Sequence, residues 1–285
     1  RMVVTSDHGF LCTRKPLREA DHVSAADMEG TAGIAAWEET AKGSAEYACF
    51  RQLMTEEVCA ACRGALASGN VTELLVRDAH GSACNLLPDR LPKEAKVLRA
   101  WAGEPGGMVS GLALGFDALA MTGCHAAAYT DGNPLAHTLN TKNQFIRING
   151  ELASEFLINA YAAALHGAAV IFVSGDEAVC QSAQALCPTI TAVPVLRAHG
   201  GASLSLQPER AREEICEGMR AAASRLDNRK PVPLPGHFSV EVEFRSHVQA
   251  RRGGFYPGAV AVGRMGVGFE SDDFAEVLRF LFFTA

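Results

Sequence analysis

The chain has no uninterrupted apolar run near the roughly 20 residues that a membrane-spanning helix needs. The apolar end Phe280-Leu281-Phe282-Phe283 is far too short and reads as part of a packed helix. Excess positive charge is also missing. Charged residues make up 20% of the 285 and the formal net charge is -6, which leaves no basic field to hold a nucleic-acid backbone or an anionic membrane. The first 22 residues carry Arg, Lys, Asp and His without an apolar segment, unlike a secretory signal. Opening on Arg1 rather than Met, residues 1–22 read as an N-terminal extension of partly foreign or unusual origin, outside the fold. The nine cysteines are odd in number and scattered, in a chain too large to need disulfide staples, which points to a reducing, cytoplasmic setting. Internal repeats and low-complexity tracts are absent too.

What the chain does have is apolar residues, 48% of the total, enough for a large core. From residue 23 short apolar runs alternate with helical periods, the signature of βαβ units and a mainly parallel sheet. Val23 to Ala26 is a weak strand: Asp21, His22, Ser24 and two alanines give it little to bury, as at a marginal or covered sheet edge. Glu46 to Ala67 has apolar residues at helical spacing with Gly69 as a stop. Glu73 to Val76, Ala118 to Thr122 and Ala168 to Val173 read as strands, and Ser154 to Leu165 as a helix. Residues 191–206 and 238–244 alternate with period two, as half-exposed antiparallel strands do, around a polar helix at 208–226. The expected fold is therefore α/β: a mainly parallel sheet flanked by helices over 23–190, then a smaller α+β domain with a C-terminal helix over 191–285.

In open parallel sheets, ligands gather beyond the carboxyl ends of the strands. Three motifs fall there: Asp27-Met28-Glu29-Gly30, Asp78-Ala79-His80 and Gly123-Cys124-His125. Taken singly each is weak, because an Asp-x-Glu pair is most often a solvated turn and a lone His after a strand a surface residue. Their shared position on one sheet edge is what points to a preorganised metal site.

With these motifs in order, the chain resembles the zinc D-aminopeptidases associated with bacterial dipeptide-transport operons. The resemblance runs from about residue 24 to the end, through Ser24-Ala25-Ala26-Asp27-Met28-Glu29-Gly30, Leu53-Met54-Thr55-Glu56-Glu57, Val76-Arg77-Asp78-Ala79-His80 and Gly123-Cys124-His125-Ala126. It continues through Ala136-His137-Thr138, Glu155-Phe156-Leu157-Ile158-Asn159-Ala160-Tyr161 and Val173-Ser174-Gly175-Asp176. It implies a metalloaminopeptidase acting on short peptides, D-alanyl ones above all, with two zinc ions per subunit. On that reading Asp27 is the bridging carboxylate, Glu29, His80, His125 and Glu155 are the other ligands, and His137 is the catalytic histidine. The resemblance also implies a homo-oligomer, a ring-like decamer with active sites facing an internal channel. Carboxylate and imidazole donors suit zinc in a two-metal hydrolase, and the absence of thiolates argues against a structural zinc finger.

Several alternatives stand beside this reading. An enzyme of the same class acting on L-residues would need no change of ligands, since stereochemistry depends on pocket shape. A non-catalytic, metal-bound peptide-binding oligomer has no use for His137. A two-metal phosphoesterase lacks a basic, glycine-rich phosphate cradle near the ligands. Asp78 either hydrogen-bonds a ligand imidazole or caps its own loop. Cys59 and Cys62 read as core-facing residues of a helix rather than a metal half-site, and the glycines between Gly263 and Gly268 as turn or bulge residues rather than a phosphate loop.

Overall fold

The computed structural model describes residues 20–226 and 229–285, with side chains from His22 onward. The extension expected over 1–22 lies outside the described residues, except for residues 20–22, which belong to the first strand. Strands follow in the order β1 (Ala20–Ala26), β2 (Val71–Asp78), β3 (Ala95–Leu98), β4 (Ala118–Cys124), β5 (Asn143–Ile148), β6 (Glu151–Leu152), β7 (Ala169–Asp176), β8 (Thr191–His199), β9 (Ala202–Ser205), β10 (Phe238–Phe244), β11 (Val260–Val262) and β12 (Gly266–Ser271). The helices are α1 (Trp37–Thr40), α2 (Tyr47–Ala67), α3 (Glu155–Leu165), α4 (Glu177–Leu186), α5 (Pro208–Ala223), α6 (His247–Gly253) and α7 (Phe274–Thr284).

A seven-stranded sheet has the order β3-β2-β1-β4-β7-β8-β9, and a five-stranded one the order β11-β12-β10-β5-β6. All neighbours in the larger sheet are parallel except the β8–β9 hairpin, whereas the smaller sheet is antiparallel throughout. This is the α/β class with a mainly parallel sheet that the apolar runs predict. One face of the larger sheet packs Ile171, Phe172 and Val195 against α2 and α5. These two helices approach closely at Gly64, where a Cβ would come 2.2 Å from the Cys216 carbonyl oxygen. The other face packs Val23, Leu119 and Met121 in one core with α3, α7 and the inner residues Phe238 and Val240 of the smaller sheet.

Two expectations are corrected. The strand before Asp27 is not at an edge: β1 is paired on both sides, with β2 and β4. Its small residues are a consequence of that central place, because α2 and the helical segment Gly107–Leu114 pack over it from both faces. His22 is buried there, and burial pulls its pKa down to about 3, so its imidazole stays neutral. The division expected near residue 190 does not separate the sheets either. β8 continues the parallel ladder beside β7, while β5 and β6, earlier in the chain, join the smaller sheet. The alternation in 191–206 comes from a half-exposed hairpin at the end of the larger sheet, where period two reports that one face is open and not which way the neighbouring strand runs.

Among the described residues no helix is long and apolar enough to cross a membrane, and the eight cysteines found there are free. Cys59 and Cys62 are buried in α2, as expected of core-facing residues.

Candidate metal centre

The site forms because β1, β2 and β4 are neighbours and their loops continue the ladder past the strand ends. Ala79 N–H donates to the Ala26 carbonyl, Asp27 N–H to Thr122 and Gly30 N–H to Gly123, each at 2.9 Å. Such close backbone contact explains the glycine in two of the motifs. A Cβ at Gly30 would lie 1.8 Å from the Cys124 carbonyl oxygen, and Gly123 has φ +67 with space for a Cβ blocked by the Asp27 carbonyl at 2.2 Å. Glu155 is the first residue of α3, whose start is fixed by Ser154 Oγ accepting from Leu157 N–H at 3.2 Å. His137 comes from the loop between β4 and β5.

The structure brings all six of these side chains together, as two groups that meet at Asp27. Nδ1 of His80 lies 3.0 Å from Glu29 Oε2 and 3.3 Å from Asp27 Oδ1. The other Asp27 oxygen, Oδ2, is 3.4 Å from His125 Nε2, which is 3.8 Å from Glu155 Oε2. His137 Nε2 is 3.7 Å from Glu155 Oε1, and its ring stacks on His125 at 4.3 Å between centroids. Potential ligand atoms of Asp27, Glu29 and His80 lie within 4.8 Å of one another, as do those of His125, His137 and Glu155. His137 thus lies within the second of these groups. Asp27, Glu29, His80, His125 and Glu155 are buried, while His137 is partly open to solvent.

Each imidazole spends one nitrogen on a backbone carbonyl: His80 Nε2 on Thr40 at 3.0 Å, His125 Nδ1 on Ala126 at 3.0 Å and His137 Nδ1 on Leu135 at 2.9 Å. A carbonyl can only accept, so that nitrogen carries the hydrogen, and the opposite one in the neutral ring holds a lone pair facing carboxylates. His125 Nε2 is buried with no hydrogen-bond partner. Lone pairs and carboxylate oxygens turned toward one another, out of water, need a cation between them. Without a metal ion, protons serve. Although burial pulls the other way, the carboxylates of Glu155, Asp27 and Glu29 push His125 up to about 9, and Glu29 and Asp27 hold His80 well above its ordinary value. Burial and the neighbouring Glu29 charge raise Asp27 to about 6. Glu29 goes the other way: burial opposes its charge, but His80 outweighs burial and lowers its pKa. Three imidazoles of fixed tautomer and three carboxylates, with no thiolate, fit zinc-like divalent ions.

Asp78 does not touch an imidazole. Its carboxylate accepts from the N–H groups of Asn85 and Leu86 and from Asn85 Nδ2, the latter two at 2.8 Å, so it caps the loop that carries His80. The corresponding support for His125 is Asp176, which the strand pattern did not single out. Its Oδ2 accepts from Ala126 N–H at 2.6 Å and Asn133 Nδ2 at 3.2 Å, and its Oδ1 caps α4 through Val179 N–H at 2.8 Å. The available signal was an acidic residue closing a strand and opening a helix. The short helix α1 also escaped the sequence reading. It supplies the Thr40 carbonyl to His80 and sets the Trp37 ring edge-on to His137 at 5.5 Å. A cavity of about 570 Å³ opens on Asp27, Glu29, His80, His137 and Glu155, with His125 behind them.

A parallel sheet whose carboxyl edge carries a buried carboxylate–imidazole cluster beneath a substrate-sized cavity defines the class: an α/β protein with a candidate divalent-metal centre. Comparison with known proteins makes this specific. The chain belongs to the M55 peptidase family, the D-aminopeptidases, whose model matches residues 23–283. A D-aminopeptidase of Bacillus subtilis strain 168 is 30% identical over 255 residues, spanning 89% of this chain and 92% of that protein. The solved structure of DppA from Bacillus subtilis, a zinc-dependent D-aminopeptidase described as a self-compartmentalizing protease, superposes with a TM-score of 0.85 at 28% identity, covering 92% of this chain and 95% of that one.

Proposed function

We propose that the chain is a zinc-dependent aminopeptidase that removes N-terminal D-residues, D-alanine above all, from short peptides and amides. Asp27, Glu29, His80, His125 and Glu155 would hold two zinc ions, with Asp27 shared between the Glu29–His80 and the His125–Glu155 groups. The observation that carries this reading is the division of Asp27 between two groups, Oδ1 facing His80 and Oδ2 facing His125. When bound, zinc supplies Lewis acidity and lowers the pKa of a bound water to about 7.

The chain's own residues do the rest. His137, with its hydrogen fixed on Nδ1 by Leu135, offers Nε2 to the cavity, where it can take a proton and pass it to the leaving amine. Stacking on His125 and the edge of Trp37 fix the plane of its ring. Leu139 N–H holds Glu155 Oε1 at 2.7 Å, which orients that carboxylate toward the centre. The acidic lining favours the free ammonium group of a peptide, which directs cleavage to the N-terminus. The self-compartmentalizing relative supports assembly into a closed homo-oligomer, a decamer on the family resemblance, and the free cysteines accord with a cytoplasmic setting.

One observation favours a second reading of His137. Its Nε2 lies among the potential ligand atoms of His125 and Glu155 and is itself placed to hold metal. Replacement by alanine separates the two. As a proton carrier, His137→Ala lowers kcat by about 10²–10⁴-fold with two zinc ions retained per chain, whereas loss of an ion assigns it to the metal. The wild-type protein is expected to hydrolyse D-alanyl amides and peptides and to lose that activity to a chelator. Hydrolysis of L-alanyl substrates alone would end the D-specific reading.

A further inference from the structure

The cavity over the centre has a wall that the reading above leaves unused. Met108, Ile158 and Leu281 line it as buried side chains, while Trp101, Leu139 and Phe282 remain 46%, 38% and 45% exposed. Single apolar side chains on a surface are ordinary, but three converging on the cavity that holds the catalytic cluster leave apolar surface for a ligand to cover.

Two of the three are fixed by the fold. The Trp101 ring lies over the guanidinium of Arg77 at 4.8 Å, and its Nε1–H donates to the Gly81 carbonyl, next to His80, at 2.8 Å. Arg77 is fully buried and donates to the Ala100 carbonyl at 2.6 Å, so a charged side chain inside the protein is spent on shaping this wall. Leu139 has φ +66, a conformation unfavourable for any residue with a Cβ, and is held there by its N–H bond to Glu155. The same strained residue therefore orients a ligand carboxylate and belongs to the apolar wall. The cavity has far more room than the methyl group of alanine fills.

We propose that this wall is a subsite for a large apolar side chain, leucine- to phenylalanine-sized, on the second residue of the peptide, the one that follows the scissile bond. It rests on the aminopeptidase reading and deepens it, adding a bulky apolar residue behind the N-terminal D-residue. Burial of the larger side chain against Trp101, Ile158 and Phe282 gives the selectivity, and the carboxylate–imidazole cluster keeps the reacting end polar.

The test is kcat/KM of the zinc-loaded protein for short D-alanyl peptides in which the second residue is D-Ala, D-Leu or D-Phe. A rise of about 10–200-fold from alanine to the better bulky residue is expected at the second position. Phe282→Ser and Trp101→Ser should each shrink that ratio, whereas a purely structural defect lowers all rates together and leaves it unchanged. Equal kcat/KM for the three residues at the second position, or a ratio untouched by both substitutions, overturns the subsite while leaving the peptidase reading intact. Absence of hydrolysis of any peptide removes the peptidase reading and the subsite with it.

Discussion

The Asp27–Glu29–His80 half of the centre and the His125–His137–Glu155 half are drawn from different parts of the chain and supported differently. The first comes from two adjacent strand ends, with nitrogen-to-oxygen distances of 3.0 and 3.3 Å. Its loops are held by Asp78, by the Thr40 carbonyl and by Glu57 of α2, whose Oε1 accepts from Ala32 N–H at 2.8 Å. The second takes one residue from a strand end, one from a helix start and one from a loop, with nitrogen-to-oxygen distances of 3.7 and 3.8 Å. The first half is a compact candidate ligand set fixed by the sheet. The second is looser and includes the side chain most open to the cavity.

Asp27 is the point at which the comparison is easiest to break. Asp27→Asn keeps the side-chain shape but removes a charge shared by both halves. A fall in kcat/KM of about a thousandfold or more is expected, with metal content dropping in both halves when measured by mass spectrometry. One ion retained at full occupancy would make the halves independent sites and remove the bridge.

Asp176 tests the second half by itself. It is fully buried and the loop after β4 depends on it, so Asp176→Ala leaves the N–H groups of Ala126 and Val179 and the Asn133 amide short of an acceptor. Loss of charged, buried hydrogen bonds and a helix cap predicts about 3 kcal/mol of destabilisation, a melting temperature lower by about 6–12 °C. Asn133 Nδ2 also donates to the Glu29 carbonyl at 3.2 Å, so a weaker effect on the first half should accompany the loss. A change in melting temperature within error would show that the second half needs no such brace.

The same contrast explains what the sequence made legible. Asp27, Glu29, His80 and His125 follow directly after apolar runs, and a strand end is a place that hydrophobic patterning can mark. Glu155 and His137 follow no such run, and only the family resemblance assigned them. The braces are less visible still, since they pair Glu57 with the backbone of Ala32 and Asp176 with that of Ala126, bonds across 25 and 50 residues that no local period encodes. Period two at 191–206 was read correctly as half-exposed strand, but alternation is blind to the direction of the neighbouring strand, which is why the parallel pairing of β8 was missed.

Glu57 offers the finest distinction between the halves. Burial raises its pKa from 4.5 to about 8, against the opposing pull of the Ala32 N–H bond and Arg212. The folded protein thus holds a proton that the unfolded chain releases near 4.5. Between about pH 4.5 and 8 the native state binds more protons than the unfolded state, so this group's contribution to stability is full below 4.5 and is lost as pH rises toward 8. Glu57→Gln keeps the acceptor for Ala32 and abolishes the titration. The variant should gain on the wild type by about 1–4 kcal/mol between pH 5 and pH 8, read from urea midpoints at the two values. Parallel pH profiles would mean that Glu57 is already ionised when folded. The first half would then be braced by a buried charge, as Asp176 braces the second, and the difference between the halves would lie in their ligands alone.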